Sequence, residues 1–303
     1  MPRLSETSKG IILLVTSAFF FAAMAAFVKL AGDIHFIQKA FFRNAVAFVI
    51  AIILLVREVN EKGFESLVFS KTIFLFLFLR SLTGSIGVFG NFYAIDRIVL
   101  SDAAILNKMA PFFAILFSFV LLKEKMRLVP LIAIIVAFIG AMLVVKPSFD
   151  FSKTLPTAAA FIGGMGAGFA YACVRKLSTL KCNGKLIVLF FSTFSMLLSV
   201  PYMIFHFNPM TLEQTVFLCC AGICAAGGQF SITAAYYHAP ARDISIYDYS
   251  QIIFSTLFGF CLFGQIPDVY SIIGYIIIVL MALLNFIWTA RLQKSCKTPE
   301  KHI

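Results

Sequence analysis

The chain has 303 residues, of which 61% are hydrophobic and only 13% are charged. Soluble domains carry about 25% charged residues, so this composition excludes an ordinary soluble domain. The formal net charge of +11 does not indicate a nucleic-acid-binding protein, because most charges lie in short connectors between apolar runs, where they encode membrane topology. We therefore expect a polytopic protein of the lipid bilayer with no nucleic-acid partner.

Ten apolar segments follow one another along the chain, each close to the ~20 residues that a helix needs to cross hydrocarbon. The first is too long for a typical signal peptide and has no small-residue cleavage site followed by a soluble domain, so we interpret it as a membrane helix. The predicted spans are about 10–31, 36–56, 71–95, 99–122, 128–146, 155–176, 185–206, 212–237, 243–264 and 268–290.

The basic residues between the spans predict the orientation of the protein. Short connectors make neighbouring helices antiparallel, so alternate connectors lie on the same side. If the N-terminus is cytoplasmic, seventeen Lys and Arg lie on that side and only Arg97, Lys146 and Lys153 lie opposite. Because positive connectors stay in the cytoplasm, we expect both termini there.

The stretch from Tyr93 to Pro147 is the most distinctive part of the chain, with two apolar runs that flank a basic turn. The first run carries Asn107 and Lys108, followed by Pro111. Proline removes a backbone hydrogen bond and frees a carbonyl, so it predicts a kinked helix. An amide and a cation are costly in lipid, so their position one turn before the kink favours a functional role.

Eight positions in and around this stretch form a recognisable pattern: a Tyr-Ala before the helix, small residues and a proline within it, a Glu at its end and a Gly late in the next helix. These positions are Tyr93, Ala94, Asp102, Ala103, Ala104, Pro111, Glu124 and Gly140. The block resembles the EamA-type drug/metabolite transporters. This resemblance implies a secondary transporter of small metabolites that works by alternating access between two five-helix halves. We expect an exporter in a bacterial inner membrane.

Two halves of five spans must sit in opposite orientations, because five is odd. A shift of 141 residues aligns identical or similar residues of the two halves: Asp102 with Asp243, Ile105 with Ile246, Phe113 with Phe254, Phe119 with Phe260 and Glu124 with Gln265. The sequence thus predicts an all-α membrane protein with two inverted five-helix repeats, 1–147 and 148–303. In such transporters the substrate site lies near midplane at the repeat interface.

Charged residues within the spans are the strongest candidates for that site. We interpret Arg43, Arg80 and Lys108 as lining a cationic cavity, which favours an anionic or zwitterionic solute such as an amino acid. Internal pairing, or bonding to carbonyls of kinked helices, remains the alternative for Arg43, Arg80 and Asp248. Softer candidates can offer hydrogen bonds to a solute or equally join neighbouring helices. They are Asn91, Tyr93, Asn107, Gln229, Tyr236, Tyr247 and Gln251.

Asp248 is the carboxylate that lies most clearly within a span. An ionised acid there is costly, so we expect it either to pair with a cation or to be protonated for part of the time. Pairing predicts a structural role, with Arg80 as the expected partner. Protonation predicts coupling to a proton gradient. We interpret Lys29, Lys39 and Asp243 as structural residues.

An intramembrane enzyme acting on a lipid or small molecule is the alternative function. The sequence contains no H-E-x-x-H, G-x-S-x-G or Walker motif, and the histidines near the spans fall at their ends. The glycines around Gly164 and Gly168 do not match a dinucleotide motif, and we expect close helix packing there instead. We interpret the seven cysteines as small hydrophobic residues and expect no metal, no cofactor and no catalytic residue. The sequence does not indicate the oligomeric state.

Overall fold

The computed structural model describes residues 5–64, 67–95, 97, 105–124, 127–145, 154–264 and 266–295. Ten helices in these residues are long and apolar enough to cross a membrane, and every regular element described is helical. They are α1 (Glu6–Leu30), α2 (Phe36–Lys62), α3 (Lys71–Ile95), α4 (Ile105–Leu122), α5 (Leu128–Val145), α6 (Thr154–Thr179), α7 (Gly184–His206), α8 (Leu212–His238), α9 (Ala241–Phe263) and α10 (Val269–Ser295). The ten predicted spans are confirmed.

Local signals in the sequence set several helix ends. The Ser5 side chain accepts from the Ser8 amide at the start of α1, and Thr211 with Gln214 forms a capping box at the start of α8. Gly264, with a φ of 64°, ends α9.

Helix α2 continues six residues past the predicted end at 56. Its last turns carry Glu58, which pairs with Lys62 at 2.8 Å and with Lys185 at 3.0 Å.

Packing between the helices follows a two-fold pattern. The most extensive contacts join α3 to α6 and α1 to α8; further pairs are α5 with α10, α2 with α7, α4 with α6, α1 with α9, α2 with α8, and α3 with α7. If the first five helices are exchanged in order for the last five, this set of pairs maps onto itself. The fold is therefore two inverted five-helix repeats. The predicted boundary at 147/148 lies outside the described residues.

Small residues allow these helices to approach closely, as is usual in membrane bundles. An ideal Cβ on Gly164 would lie 2.5 Å from the Leu106 carbonyl oxygen, and one on Gly168 would lie 2.7 Å from the Ala110 carbonyl oxygen. Both glycines of α6 thus hold α4 at backbone distance. At the α5–α10 contact, a Cβ on Gly274 would lie 2.5 Å from the Gly140 carbonyl oxygen.

One end of the bundle, here called the basic end, carries the start of α1 and the connectors that follow α2, α4, α6 and α8. Polar side chains join helices there. Glu124 at the end of α4 accepts from Arg175 of α6 at 3.1 Å, and Arg175 also donates to the Tyr237 carbonyl of α8. Glu6 of α1 lies 2.6 Å from His238 at the end of α8. An open pocket of about 650 Å³ at this end is lined by Glu58, Lys181, Lys185 and His238 among others.

Candidate functional site

Two helices that correspond in the inverted repeats, α4 and α9, are both interrupted. In α4, Lys108 and Met109 form a turn, and regular α-helix resumes at Ala110. In α9, a short helix to Ile244 is followed by a 3₁₀ segment, Ser245–Tyr249, before α-helix resumes at Ser250. The shift of 141 residues places Lys108 on Tyr249, so the interruptions fall at equivalent positions. Broken helices of this kind form the binding sites of many transporters.

Pro111 lies just after the interruption in α4 rather than inside a continuous helix. It occupies the second position of the helix that starts at Ala110, where its missing N–H would have no intrahelical partner. The structure therefore places the break one turn earlier than a kink centred on Pro111. Asp102, Ala103 and Ala104 of the sequence pattern lie outside the described residues.

Lys108 joins the two interruptions. Its Nζ donates to Asp248 Oδ2 at 2.8 Å, to Gln251 Oε1 at 2.7 Å and to the Asp248 carbonyl at 3.3 Å. In return, the Tyr249 hydroxyl donates to the Lys108 carbonyl at 3.3 Å. The prediction that Asp248 pairs with Arg80 is wrong, because Lys108 of α4 reaches Asp248 instead.

Arg80, on α3, contacts other helices of the core. Its Nη2 donates to Gln229 Oε1 of α8 at 2.9 Å, and its guanidinium carbon lies 3.7 Å from the ring centroid of Phe191 on α7. Its Nε and Nη1 are buried and have no hydrogen-bond partner among the described residues. Gly84 leaves room for this group, since a Cβ there would lie 3.1 Å from Arg80 Nη1. Arg80 is thus a buried cation with donors to spare.

Arg43 and Tyr171 lie close to Arg80. Arg43 interacts electrostatically with both, and its own Nε is buried without a hydrogen-bond partner. The Tyr171 ring stacks on that of Tyr236 with centroids 4.8 Å apart, and Tyr236 contacts the Ser245 hydroxyl in the 3₁₀ segment of α9. The two tyrosines therefore connect the arginines to the interrupted part of α9.

These residues form one polar cluster in the middle of the bundle, here called the central cluster. It comprises Arg43, Arg80, Lys108, Tyr171, Gln229, Tyr236, Asp248 and Gln251. The three cations and the one carboxylate are each at most 9% exposed. Among the described residues that form it, positive charge thus exceeds negative charge by two.

Four further predicted site residues have their described contacts outside the central cluster. Tyr247 donates to the Ala282 carbonyl of α10, and the Tyr93 ring stacks under Arg97 at the end of α3. Asn91 and Asn107 present backbone to α6, against Gly163 and Gly164 respectively. Tyr247 therefore joins α9 to α10, one of the two roles that the sequence left open, whereas the contact of Tyr93 is with the end of its own helix. The assignment of these four residues to the site stays a prediction.

Each of the three residues that were predicted to be structural interacts with another group. Lys29 lies 4.2 Å from the centroid of the Phe263 ring, and Asp243 lies 3.6 Å from Arg242 Nε. Lys39 also has a partner. The sequence did not identify Tyr171 of the central cluster or Phe191 beside Arg80. In an apolar sequence, nothing distinguishes an aromatic residue of a binding site from one that only packs between helices.

Comparisons with known proteins agree with this architecture. The EamA-like transporter family matches residues 8–146. The pseudopaline exporter CntI of Pseudomonas aeruginosa is 30% identical, over 90% of this chain and 94% of the relative. Solute carrier family 35 member G1 of Mus musculus is 28% identical, over 89% of this chain and 76% of the relative.

A shorter match joins the chain to the riboflavin transporter of Vibrio cholerae, with 30% identity over 60% of this chain and 61% of that protein. A solved crystal structure superposes with a TM-score of 0.78 at 16% identity, over 94% of this chain and 99% of the other, and supports the fold alone. The relatives are named as transporters, not as enzymes. The chain belongs to the EamA-like family of drug/metabolite transporters and is a multi-pass membrane transporter.

Proposed function

We propose that this transporter is a secondary exporter of a small anionic or zwitterionic metabolite, of about the size of an amino acid, and that the solute binds at Arg43 and Arg80. The observation that supports this most is the pair of buried arginines with unpaired donors. A guanidinium normally uses its planar fork of donors on a carboxylate or phosphate. A solute carboxylate would supply the missing acceptors.

The charge balance favours an anion over a zwitterion. Lys108 and Asp248 neutralise each other at 2.8 Å, which leaves Arg43 and Arg80 without a neighbouring carboxylate among the described residues. A buried cation without a counter-charge is costly in a bundle within lipid. A bound anion would remove that cost, whereas a zwitterion would bring a positive group of its own into the site. Phe191 and Tyr171 offer apolar and aromatic surface for the rest of the solute.

Separate observations support the proposed direction of transport and the proposed orientation of the protein in the membrane. The basic end of the bundle holds most connector lysines and arginines, so we propose that it faces the cytoplasm, with both termini there, in a bacterial inner membrane. A relative that this chain matches over 94% of the relative's length is named as an exporter. The chain has no Walker motif, so transport would be driven by a gradient and not by ATP.

Efflux from proteoliposomes loaded with a mixture of metabolites tests this function. Native protein should deplete the vesicles of one or a few small anions, and a variant with Arg43→Gln and Arg80→Gln should not, although it inserts normally. Mass spectrometry of the retained solutes identifies the substrate. Depletion confined to cations or uncharged solutes, or equal depletion by both proteins, would refute the assignment of the arginines to the site.

A further inference from the structure

The ammonium of Lys108 lies inside a cage of three oxygens that all come from α9. Asp248 provides a carboxylate oxygen at 2.8 Å and its carbonyl at 3.3 Å, and Gln251 provides an amide oxygen at 2.7 Å. This oxygen cage exists because the 3₁₀ segment Ser245–Tyr249 interrupts α9 just before Gln251. It brings a carboxylate, a carbonyl and an amide within four residues to one point.

Such a set of oxygens is the kind that binds a hard cation. Carboxylate, carbonyl and amide oxygens are the ligands of alkali and alkaline-earth ions, and unwound helices in secondary transporters coordinate their coupling ions with backbone carbonyls. A cage with one carboxylate is balanced by one positive charge. Here that charge is supplied by Lys108, which is tethered to α4.

Lys108 has no donor left for a solute. An ammonium has three N–H groups. The three oxygens of the cage account for all of them, whereas Arg43 and Arg80 keep unpaired donors. Lys108 was predicted to bind the solute, but within the part of the chain that the structure describes its ammonium bonds only to α9.

We propose that the oxygen cage of Asp248 and Gln251 is a monovalent-cation site that the ammonium of Lys108 fills in place of a free ion. The role rests on the proposed transport function. When Lys108 occupies the cage, the two interrupted helices are held together across the repeat interface. When it leaves, they can separate. The native transporter then needs no sodium or potassium ion at this site, because α4 carries its own cation.

Removing the ammonium should leave a vacant site for a small free cation. We expect purified Lys108→Ala protein to have a lower melting temperature than the native protein in N-methylglucamine chloride. Sodium, potassium or ethylammonium chloride at equal ionic strength should then raise its melting temperature by roughly 3–5 °C in a saturable way. The native protein should show no such response, because its cage is already filled.

Two controls separate this effect from general salt stabilisation. The double variant Lys108→Ala and Asp248→Asn lacks the charge of the cage and should lose the response. Lys62→Ala removes another lysine that is paired with a glutamate, but outside the core, and should behave as native. If Lys108→Ala responds to none of the three cations, or the double variant responds equally, the proposal fails.

A variant too unstable to purify can still be tested. Membranes that contain Lys108→Ala are solubilised in each salt, and the monodisperse fraction is measured by fluorescence-detected size-exclusion chromatography. Recovery that does not depend on the cation overturns the proposal. Neither measurement needs a solute, so anion efflux can fail while the cation response holds, or the reverse, and each failure has its own meaning.

Discussion

Arg80 shows how one residue can be held in place without being neutralised. The Phe191 ring supports one face of its guanidinium, Gln229 accepts from one nitrogen, and the other two nitrogens have no hydrogen-bond partner in the described part of the chain. A cation–π contact away from water contributes about 2 kcal/mol, which fixes the group but leaves its charge uncompensated. The arrangement suits a residue that must meet an anion repeatedly.

Replacement of Arg80 by glutamine should therefore affect transport more than folding. We expect Arg80→Gln to reduce the efflux of the substrate anion by roughly tenfold or more, since both the charge and the aromatic contact are lost. Efflux rates from proteoliposomes with equal protein content measure the change. Lys71→Gln, on the exposed start of the same helix, is the matched control. Equal rates for Arg80→Gln and native protein would remove Arg80 from the solute site.

Sequence reasoning identified the central charges but not their partners. Counting residues from the ends of the spans gives the depth of a side chain, and that depth placed Arg43, Arg80, Lys108 and Asp248 inside the bundle. It does not give the direction in which a side chain points around its helix. Depth alone therefore favoured Arg80 over Lys108 as the partner of Asp248, and only the packing of α4 against α9 shows that Lys108 reaches it.

At the scale of helices, the close packing of α4 depends on glycines of its neighbour α6. Helix α4 lies against the glycines of α6, where Gly164 and Gly168 leave no space for a side chain. The spacing predicted close helix packing here, because Gly164 and Gly168 are four residues apart on one face, but it did not identify α4 as the partner. It could not predict the 3₁₀ segment of α9, because Ser245–Tyr249 contains neither glycine nor proline.

A large side chain at Gly164 should separate α4 from α6. We expect Gly164→Leu to destabilise the protein by about 1–3 kcal/mol or to prevent folding, because its Cβ would already lie 2.5 Å from the Leu106 carbonyl oxygen. The monodisperse fraction after heating in detergent measures this loss. Gly184→Ala is the control, since a Cβ there meets nothing within 4 Å. If Gly164→Leu melts like native protein, the close packing of α4 on α6 is refuted.

The ion pair between Glu124 and Arg175 should stabilise the packing of α4, α6 and α8 against one another. Arg175→Gln leaves the mostly buried Glu124 carboxylate without its cation, so we expect a loss of about 1–2 kcal/mol in stability. The double variant Glu124→Gln and Arg175→Gln should recover at least half of that loss. Melting temperatures of the single and double variants provide the measurement. Additive losses would show that the two side chains do not interact.

For the whole molecule, hydropathy predicted the ten spans without any knowledge of contacts, and the parity of spans, the shift of 141 residues and the family resemblance together predicted the inverted repeat. The number of spans fixed the relation between the halves, since five crossings reverse the direction of the chain. The pairing of helices was not accessible, because many apolar faces of similar composition can pack together. Packing of α3 on α6, for example, depends on which glycines meet.

Labelling of single cysteines in a cysteine-free background tests the orientation. A cysteine at position 152, between α5 and α6, should react with an impermeant thiol reagent added to intact cells. A cysteine in place of Lys181, which is exposed between α6 and α7, should react only after the cells are opened. The reverse pattern of accessibility would place both termini outside and overturn the cytoplasmic position of the basic end.

The pairing of helices also bears on which parts of the transporter can move as units. Its two most extensive contacts each join one helix of the first repeat to one helix of the second: α3 with α6, and α1 with α8. Helix α4 adds to the first of these groups and α9 to the second. If the two repeats moved apart as separate units, the two most extensive helix contacts would be broken. We therefore expect the moving units to be hybrids, each assembled from helices of both repeats, and the Lys108–Asp248 ion pair to join one unit to the other.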